Sequence, residues 1–372
     1  MVSFLNLKKC SLGELITFQR GHDLPKALMI PGEYPVVGSN GIIGYHNEYT
    51  TEAPSISIGR SGNVGNPFIY YGRTWSHNTS LYVKEFKDCD PVFIYYLLKT
   101  LDLGNYAGGS AVPTLNRNHI HSLSVVVPHD IEDQKRIACI LRMLDKKVTL
   151  NQKINDNLYE MVNAYYASLF RDVECEKTTI GSYAERIYSG GTPTTSNTAY
   201  WDGAFGWFSS GETRNRFVIS TEKTITQAGV DNSSTKLAEK HDIVMASAGQ
   251  GFTRGQTSML LIDTFVNQSV IVIHAERNIL PYLFWNLANR YEELRAISDS
   301  SSIRGSLTTK MIAAFEIPLA NEESLQAFAD FSWSVIPQIE NNLLENERLA
   351  ALRDSLLPKL MSGEIDVSDI QL

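Results

Sequence analysis

Two long stretches of this chain repeat apolar side chains at the spacing of paired helices, and each closes a longer stretch of short alternating runs. Residues 131–171 contain neither Pro nor Gly. They place Ile137, Leu141, Leu144, Val148, Leu158, Met161, Tyr165 and Leu169 on a heptad-like stripe, interrupted only around Asn151 and Asn155. About 40 residues at 1.5 Å each predict a helix of roughly 60 Å. A second stripe runs through Phe328, Val335, Ile339, Leu349, Leu352 and Leu356, with Asn342 and Asn346 at the matching break. Pro337 and Pro358 fall inside it and are expected to kink or interrupt that helix. If the stripes pack antiparallel about a pseudo-two-fold axis near residue 153, Asn151 faces Asn346 and Asn155 faces Asn342. Asparagine at core positions fixes register at some cost in stability.

The regions before these helices read as strands. Tyr34–Val37, Ser55–Ile58, Phe68–Tyr71 and Ser122–Val127 are short β-branched and aromatic runs. Gly-rich breaks such as Gly59-Arg60-Ser61-Gly62-Asn63-Val64-Gly65 separate them. A shorter helix is expected over about 91–102 and again over 281–296.

The order of parts occurs twice. Leu12-Gly13-Glu14 leading to Pro25 is matched by Ile180-Gly181-Ser182 leading to Pro193, 168 residues later. Ser76-His77-Asn78-Thr79-Ser80 matches Val266-Asn267-Gln268-Ser269-Val270, and Val125–Pro128 matches Phe315–Pro318, both at 190. The change in offset predicts about twenty extra residues after Pro193, a stretch holding Trp201, Trp207, Arg214 and Arg216. The fold class is therefore α+β: two pseudo-symmetric strand-rich domains separated by two long antiparallel helices forming a coiled coil. The divisions fall at 1–130, 131–176, 177–320 and 321–372.

Charge qualifies this picture. The 372 residues carry a formal net charge of −8, with 33 basic and 41 acidic side chains. Residues 321–372 hold 10 acidic and 3 basic side chains, so the remainder is close to neutral. A polyanionic partner is held by cations at its phosphates. Near-neutral modules bind it only through local clusters of Arg and Lys, or with cations borrowed from partners. Cys10, Cys89, Cys139 and Cys175 are far apart, which fits reduced thiols in a cytoplasm. No apolar run reaches the roughly 20 residues that cross a bilayer, and residues 1–10 lack a signal-peptide core, so no membrane role is expected.

Catalytic motifs are missing. Asn66-Pro67-Phe68 lacks the second proline of an N-P-P-aromatic methyltransferase motif. Glu85-Phe86-Lys87 has nuclease spacing without an upstream Pro-Asp partner, and His119-Ile120-His121 has no metal-ligand set beside it.

The alternation of variable region and long helix resembles the type I restriction–modification specificity subunit family over essentially the whole chain. Local signatures accompany it. They include Leu12-Gly13-Glu14, Gly109-Ser110-Ala111-Val112-Pro113-Thr114-Leu115-Asn116, Pro128 followed by Glu132–Ile137, and the closing segment Leu356–Ile365. The second copy departs from the pattern, with Arg304-Gly305-Ser306-Leu307 where the first has Pro113–Asn116.

The resemblance implies a non-catalytic subunit that binds double-stranded DNA. Each target-recognition domain would read one half of a split site, while the helices set the gap and dock two methylating subunits. Restriction and translocation subunits would complete the enzyme. No cofactor is expected in this chain; S-adenosylmethionine, ATP and Mg would sit on the partners.

Candidate DNA contacts lie where polar side chains meet Gly-rich turns, because Arg, Asn and Gln can read purine edges bidentately. They are Arg20; the loop residues Arg60, Ser61 and Asn63; and the triplet His77, Asn78 and Thr79. Ser110 and Thr114 complete the first module. The second offers Arg214, Arg216, Gln250, Thr253, Arg254, Gln268 and Arg304. Each site equally suits a solvated turn or a hydrogen-bond cluster between strands, and the two tryptophans suit a core. The competing reading of the whole chain is a duplicated protein-interaction scaffold. Salt-dependent binding separates the two, since only a DNA reader releases counterions.

Overall fold

The computed structural model describes residues 5–108, 113–171, 176–249, 251–300 and 305–370. The chain divides into two compact units, Met1–Thr149 with Glu347–Leu372, and Leu150–Asn346.

In unit 1 the elements are β1 (Leu7–Ser11), α1 (Leu12–Leu15), β2 (Ile16–Arg20), β3 (Tyr34–Gly38), β4 (Gly41–His46), β5 (Ser55–Gly59), β6 (Pro67–Tyr70), β7 (Trp75–Ser76), β8 (Ser80–Phe86), α2 (Pro91–Lys99), β9 (Ala107–Gly108), β10 (Thr114–Leu115), α3 (Arg117–His121), β11 (Ser124–Pro128) and the start of α4 (Ile131–Phe170). One sheet has the order β2-β8-β5-β6 and another β4-β3-β7, while β1 pairs with β11. The Ser-Ile-Ser-Ile run of β5 is buried at every position, as a central strand covered on both faces requires. Asp90 starts α2 by accepting from the Phe93 amide at 2.8 Å, with Pro91 in the first turn. The core joins Phe93, Ile94 and Leu97 of α2 to Phe18, Ile56 and Ile58, and to Ile137 and Leu141 of α4.

Unit 2 follows the same order. It contains β12 (Lys177–Thr179), α5 (Ile180–Tyr183), β13 (Ala184–Ser189), β14 (Trp201–Phe208), β15 (Phe217–Val218), β16 (Lys223–Ile225), α6 (Gln227–Asp231), β17 (Lys236–Ala238), β18 (Ile243–Ala246), β19 (Thr257–Leu260), β20 (Thr264–Val266), β21 (Val270–Ala275), α7 (Leu280–Asn289), α8 (Tyr291–Ser300), α9 (Thr309–Ala313), β22 (Glu316–Pro318) and most of α10 (Glu322–Met361). Its sheets are β13-β21-β18-β19-β15 and β16-β14-β20-β17. The core stacks Tyr282, Phe284 and Trp285 of α7 on Tyr159, Val162, Tyr166 and Phe170 of α4 and on Phe328 and Ile339 of α10.

The fold is α+β with long antiparallel helices. Within unit 2, α4 reads forward from Asn151 to Tyr166 as α10 reads back from Asn346 to Phe328. Within unit 1, Asp145 of α4 meets Arg353 of α10 at 2.7 Å.

Several expectations need correction. The buried line on α4 after the asparagine break is Tyr159, Val162, Tyr166 and Phe170, with Leu158, Tyr165 and Leu169 beside it and Met161 exposed. Counted at 100° per residue from Ile137, Met161 lies about 120° away but Val162 only about 20°, so a straight helix buries the latter. On α10 the matching line is Phe328, Val335, Ile336 and Ile339, then Leu357 and Leu360, while Leu352 is exposed.

Neither proline interrupts α10. Proline inside a helix costs about 3 kcal/mol. Burial of Val335, Ile336 and Ile339 around Pro337 offsets that cost. The helix expected over 281–296 is two, α7 and α8, and the one expected over 91–102 ends at Lys99.

The insertion of the second copy is also displaced. The amide of His77 donates to the Val37 carbonyl, and that of Asn267 to Phe208, so β3 and β14 are equivalent. The extra residues therefore lie after Phe208, spread over 209–242. Trp201 and Trp207 precede them; Arg214 and Arg216 fall within them. Among the described residues, no helix is long and apolar enough to cross a membrane.

Candidate nucleic-acid interface

In unit 1 four separate turns are tied to the segment Ser76–Ser80, three directly and one through Arg60. The amides of Arg60 and Ser61 both donate to the Thr79 carbonyl, at 2.8 and 3.2 Å. The Leu115 amide donates to the Arg60 carbonyl at 2.9 Å, and Ser61 bridges to Thr114. At the end of β2, beside Arg20, the Gly21 and His22 amides donate to Ser80 and Ser76. The β3–β4 hairpin joins through the Ser39 amide, which donates to Thr79 Oγ1 at 3.3 Å. Arg20, Arg60, Ser61, Asn63, His77, Asn78, Thr79 and Thr114 thus gather at one end of the unit.

Their side chains are not equally available. Asn78 hydrogen-bonds Asp23, Asn63 bonds Asn66, and His77 Nδ1 lies 3.0 Å from Thr79 Oγ1. Burial holds the His77 imidazole below its ordinary range, opposed by nearby Asp23, so the ring favours its neutral form. Arg60 makes one long contact, 3.4 Å to the Asn78 carbonyl, and Arg20 stands exposed. These two cations are the freest to meet phosphate or a base edge.

Unit 2 repeats the wiring. The Ser247 amide donates to Ser269 at 2.9 Å, and the Leu307 amide donates to Ser247 at 2.8 Å. The Gly190 and Gly191 amides donate to Asn267 and Val266. Ser247 therefore stands where Arg60 does, and Leu307 where Leu115 does. This moves the correspondence of the two turns by one residue: Leu307 answers Leu115 rather than Asn116. Thr308 answers Asn116, each capping the following short helix.

Gln268 hydrogen-bonds Thr192 at this cluster. Three other candidates have side chains committed within the chain. Arg254 is buried, paired with Asp299 and donating to the Gly305 carbonyl at 2.7 Å, so it braces a turn and cannot reach a base. Arg216 lies over the Tyr159 ring at 4.2 Å with Asp156 at 3.6 Å, against α4. Arg214 pairs with Glu222. The indole of Trp207 is buried and donates to the Gly191 carbonyl at 3.2 Å, with Trp201 edge-on to it. Thr253 sits in the turn before β19. Ser110, Gln250, Arg304 and Cys175 lie outside the described residues.

Sequence reasoning missed the β3–β4 hairpin tip, Gly38-Ser39-Asn40-Gly41, although Asn-Gly is its usual signature. It also gave no role to Phe252, which shares a Gly-rich loop with the candidates Gln250, Thr253 and Arg254.

A model of the type I restriction–modification DNA specificity domain matches this sequence twice, over residues 6–160 and 173–347. The chain belongs to that family. This specificity subunit is 25% identical over 311 residues to the EcoR124I/EcoR124II specificity subunit of Escherichia coli, covering 79% of this chain and 76% of that one. It is 21% identical over 359 residues to the HindI specificity subunit of Haemophilus influenzae, covering 74% and 77%. Its fold is shared with the type I S subunit from M. genitalium, at a TM-score of 0.65 and 18% identity over 97% of this chain and 99% of that one. The specificity subunit is a component for DNA recognition and is itself non-catalytic.

Proposed function

We propose that each unit reads one half of a split double-stranded DNA target through its cluster of tied turns. The observation that carries this reading is the repeated wiring. Arg60, Thr79 and Leu115 in one unit, and Ser247, Ser269 and Leu307 in the other, use the same backbone bonds; the buried leucine is shared, while Arg60 and Thr79 give way to Ser247 and Ser269. A common scaffold with exchanged side chains is what two modules need to read unrelated sequences. Arg20 and Arg60 are the contacts of the first half; Gln268 and Thr253 belong to the second.

The long helices set the gap and dock two methylating subunits, which carry S-adenosylmethionine. Restriction subunits supply ATP- and Mg-dependent cleavage, and the assembly works in the cytoplasm. Exposed Leu150, Ile154 and Met161 support docking on α4, since spacings of four and seven residues place them on one line of the helix, off its buried face.

The test is methylome sequencing of cells carrying this chain with its methylating partner. Adenine methylation at a split motif is expected, and exchanging residues 177–320 for those of another specificity subunit should change one half only. A motif unchanged by that exchange would contradict the assignment.

A further inference from the structure

Phe252 stands out from every other apolar side chain. It is 86% exposed, against 63% for Leu28, the next most exposed large hydrophobic among the described residues. Yet residues 251–254, in the loop between β18 and β19, are held by side chains of α8. Three side chains on one face of α8, at spacings of four, grip it or its brace. Tyr291 donates its hydroxyl to the Phe252 carbonyl at 2.6 Å, and Arg295 donates to the Gly251 carbonyl at 2.7 Å. Asp299 pairs with buried Arg254, whose other nitrogen holds the Gly305 carbonyl. Burial of a phenylalanine side chain is worth about 1.5–3 kcal/mol, which this loop forgoes. Instead the ring points out.

Two further features fit contact with another molecule. A Cβ added at Gly251 would meet nothing within 4 Å, so no packing among the described residues requires a glycine there. It leaves bare backbone for close approach from outside. The loop also begins at Ser247, whose amide is tied to Ser269 of the candidate DNA cluster. The corresponding loop of unit 1, Arg60–Gly65, carries no aromatic residue, so the feature belongs to the second half-site alone.

We infer that Phe252 is a wedge, inserted against the base stack of the half-site read by unit 2. Apolar side chains used this way partly unstack a base step and make its deformability part of the specificity. This inference rests on unit 2 being a DNA reader.

The experiment uses the complex of this chain with its methylating partner. It binds duplexes carrying 2-aminopurine at each non-target position of the second half-site in turn. The intact complex should raise the fluorescence at one step. Phe252→Ala should abolish that rise and weaken binding on the order of tenfold, the scale of one lost aromatic–base contact, while Phe252→Trp retains both. The thermal midpoint should not move, because the side chain is 86% exposed.

Equal affinity and an equal fluorescence profile for Phe252→Ala would overturn the inference. So would failure of that variant to assemble with the methylating subunit, which would make Phe252 a protein contact. If the intact complex is indifferent to changes in the second half-site, the reading of unit 2 itself fails.

Discussion

Asn151 donates its carboxamide to Asn346 at 2.9 Å and to Glu345 at 2.7 Å, from a position on α4 with no solvent exposure. One turn on, Asn342 donates to Asn155 at 2.8 Å, and Asn155 donates to the Ile339 carbonyl at 3.2 Å. Only one alignment of the two helices satisfies all four bonds. Shifting either by four residues keeps only one asparagine pair and sets either buried Asn151 opposite Ala350 or Asn155 opposite Gln338. Asn151→Ala should therefore destabilise unit 2 by about 1–3 kcal/mol, the usual cost of removing one partner from a buried hydrogen bond. Asn151→Leu with Asn346→Leu should recover much of that loss while loosening the register. Urea unfolding of the three proteins checks the order; an Asn151→Ala midpoint equal to that of the parent would refute it.

The two clusters should also be separable by mutation. A Cβ on Gly21 would collide with the His77 carbonyl, and one on Gly190 with the Val266 carbonyl. Both obstacles are backbone, so neither can swing aside. Gly21→Ala should displace the triplet of unit 1 and Gly190→Ala that of unit 2, each costing roughly 1–3 kcal/mol. Methylome sequencing should show the first variant degrading one half of the motif and the second degrading the other. Loss of both halves from either change would mean the clusters do not act separately.

The duplication and the antiparallel helices were legible because they rest on spacing, which a helix converts directly into faces. The asparagine pairing followed from the same arithmetic, since two polar breaks at matched positions have few ways to meet. What was not legible depended on the third dimension. Arg254 looks like any loop arginine, yet α8 folds over it and supplies Asp299 from 45 residues away. The insertion was misplaced because Trp201 and Trp207 differ from the residues of β3, while their role in the ladder is set by pairing with β20. Phe252 offers only its place in a Gly-rich loop, since exposure belongs to the fold rather than to the residue.

Docking on α4 makes a prediction that stability alone cannot mimic. Leu150, Ile154 and Met161 are 51%, 38% and 45% exposed, so charging them should cost the fold little. Leu150→Glu with Met161→Glu should leave the thermal midpoint within about 2 °C of the parent. It should also weaken assembly with the methylating subunits by at least tenfold, or about 1.4 kcal/mol. Analytical ultracentrifugation of the mixed subunits provides the measurement. Undiminished assembly would move the docking surface elsewhere.

Acid should loosen unit 1 through His121. The Phe18 amide donates to His121 Nε2 at 2.9 Å, so the folded state uses that nitrogen as an acceptor. Burial, chiefly, and then the cations Arg117 and Lys87 hold the imidazole below its ordinary 6.5. His77 and His241 are lowered for the same leading reason. In the unfolded chain the ring takes its proton near pH 6.5, whereas in the folded chain it resists until the pH is lower. The contribution to stability is therefore complete above about pH 6.5 and is lost as pH falls through the folded value. The thermal midpoint should decline from pH 7.5 to pH 5.5. His121→Gln, which offers an acceptor without titrating, should flatten part of that decline, the remainder belonging to His77 and His241. A variant whose pH profile runs parallel to the parent's would exclude His121 as a source of the effect.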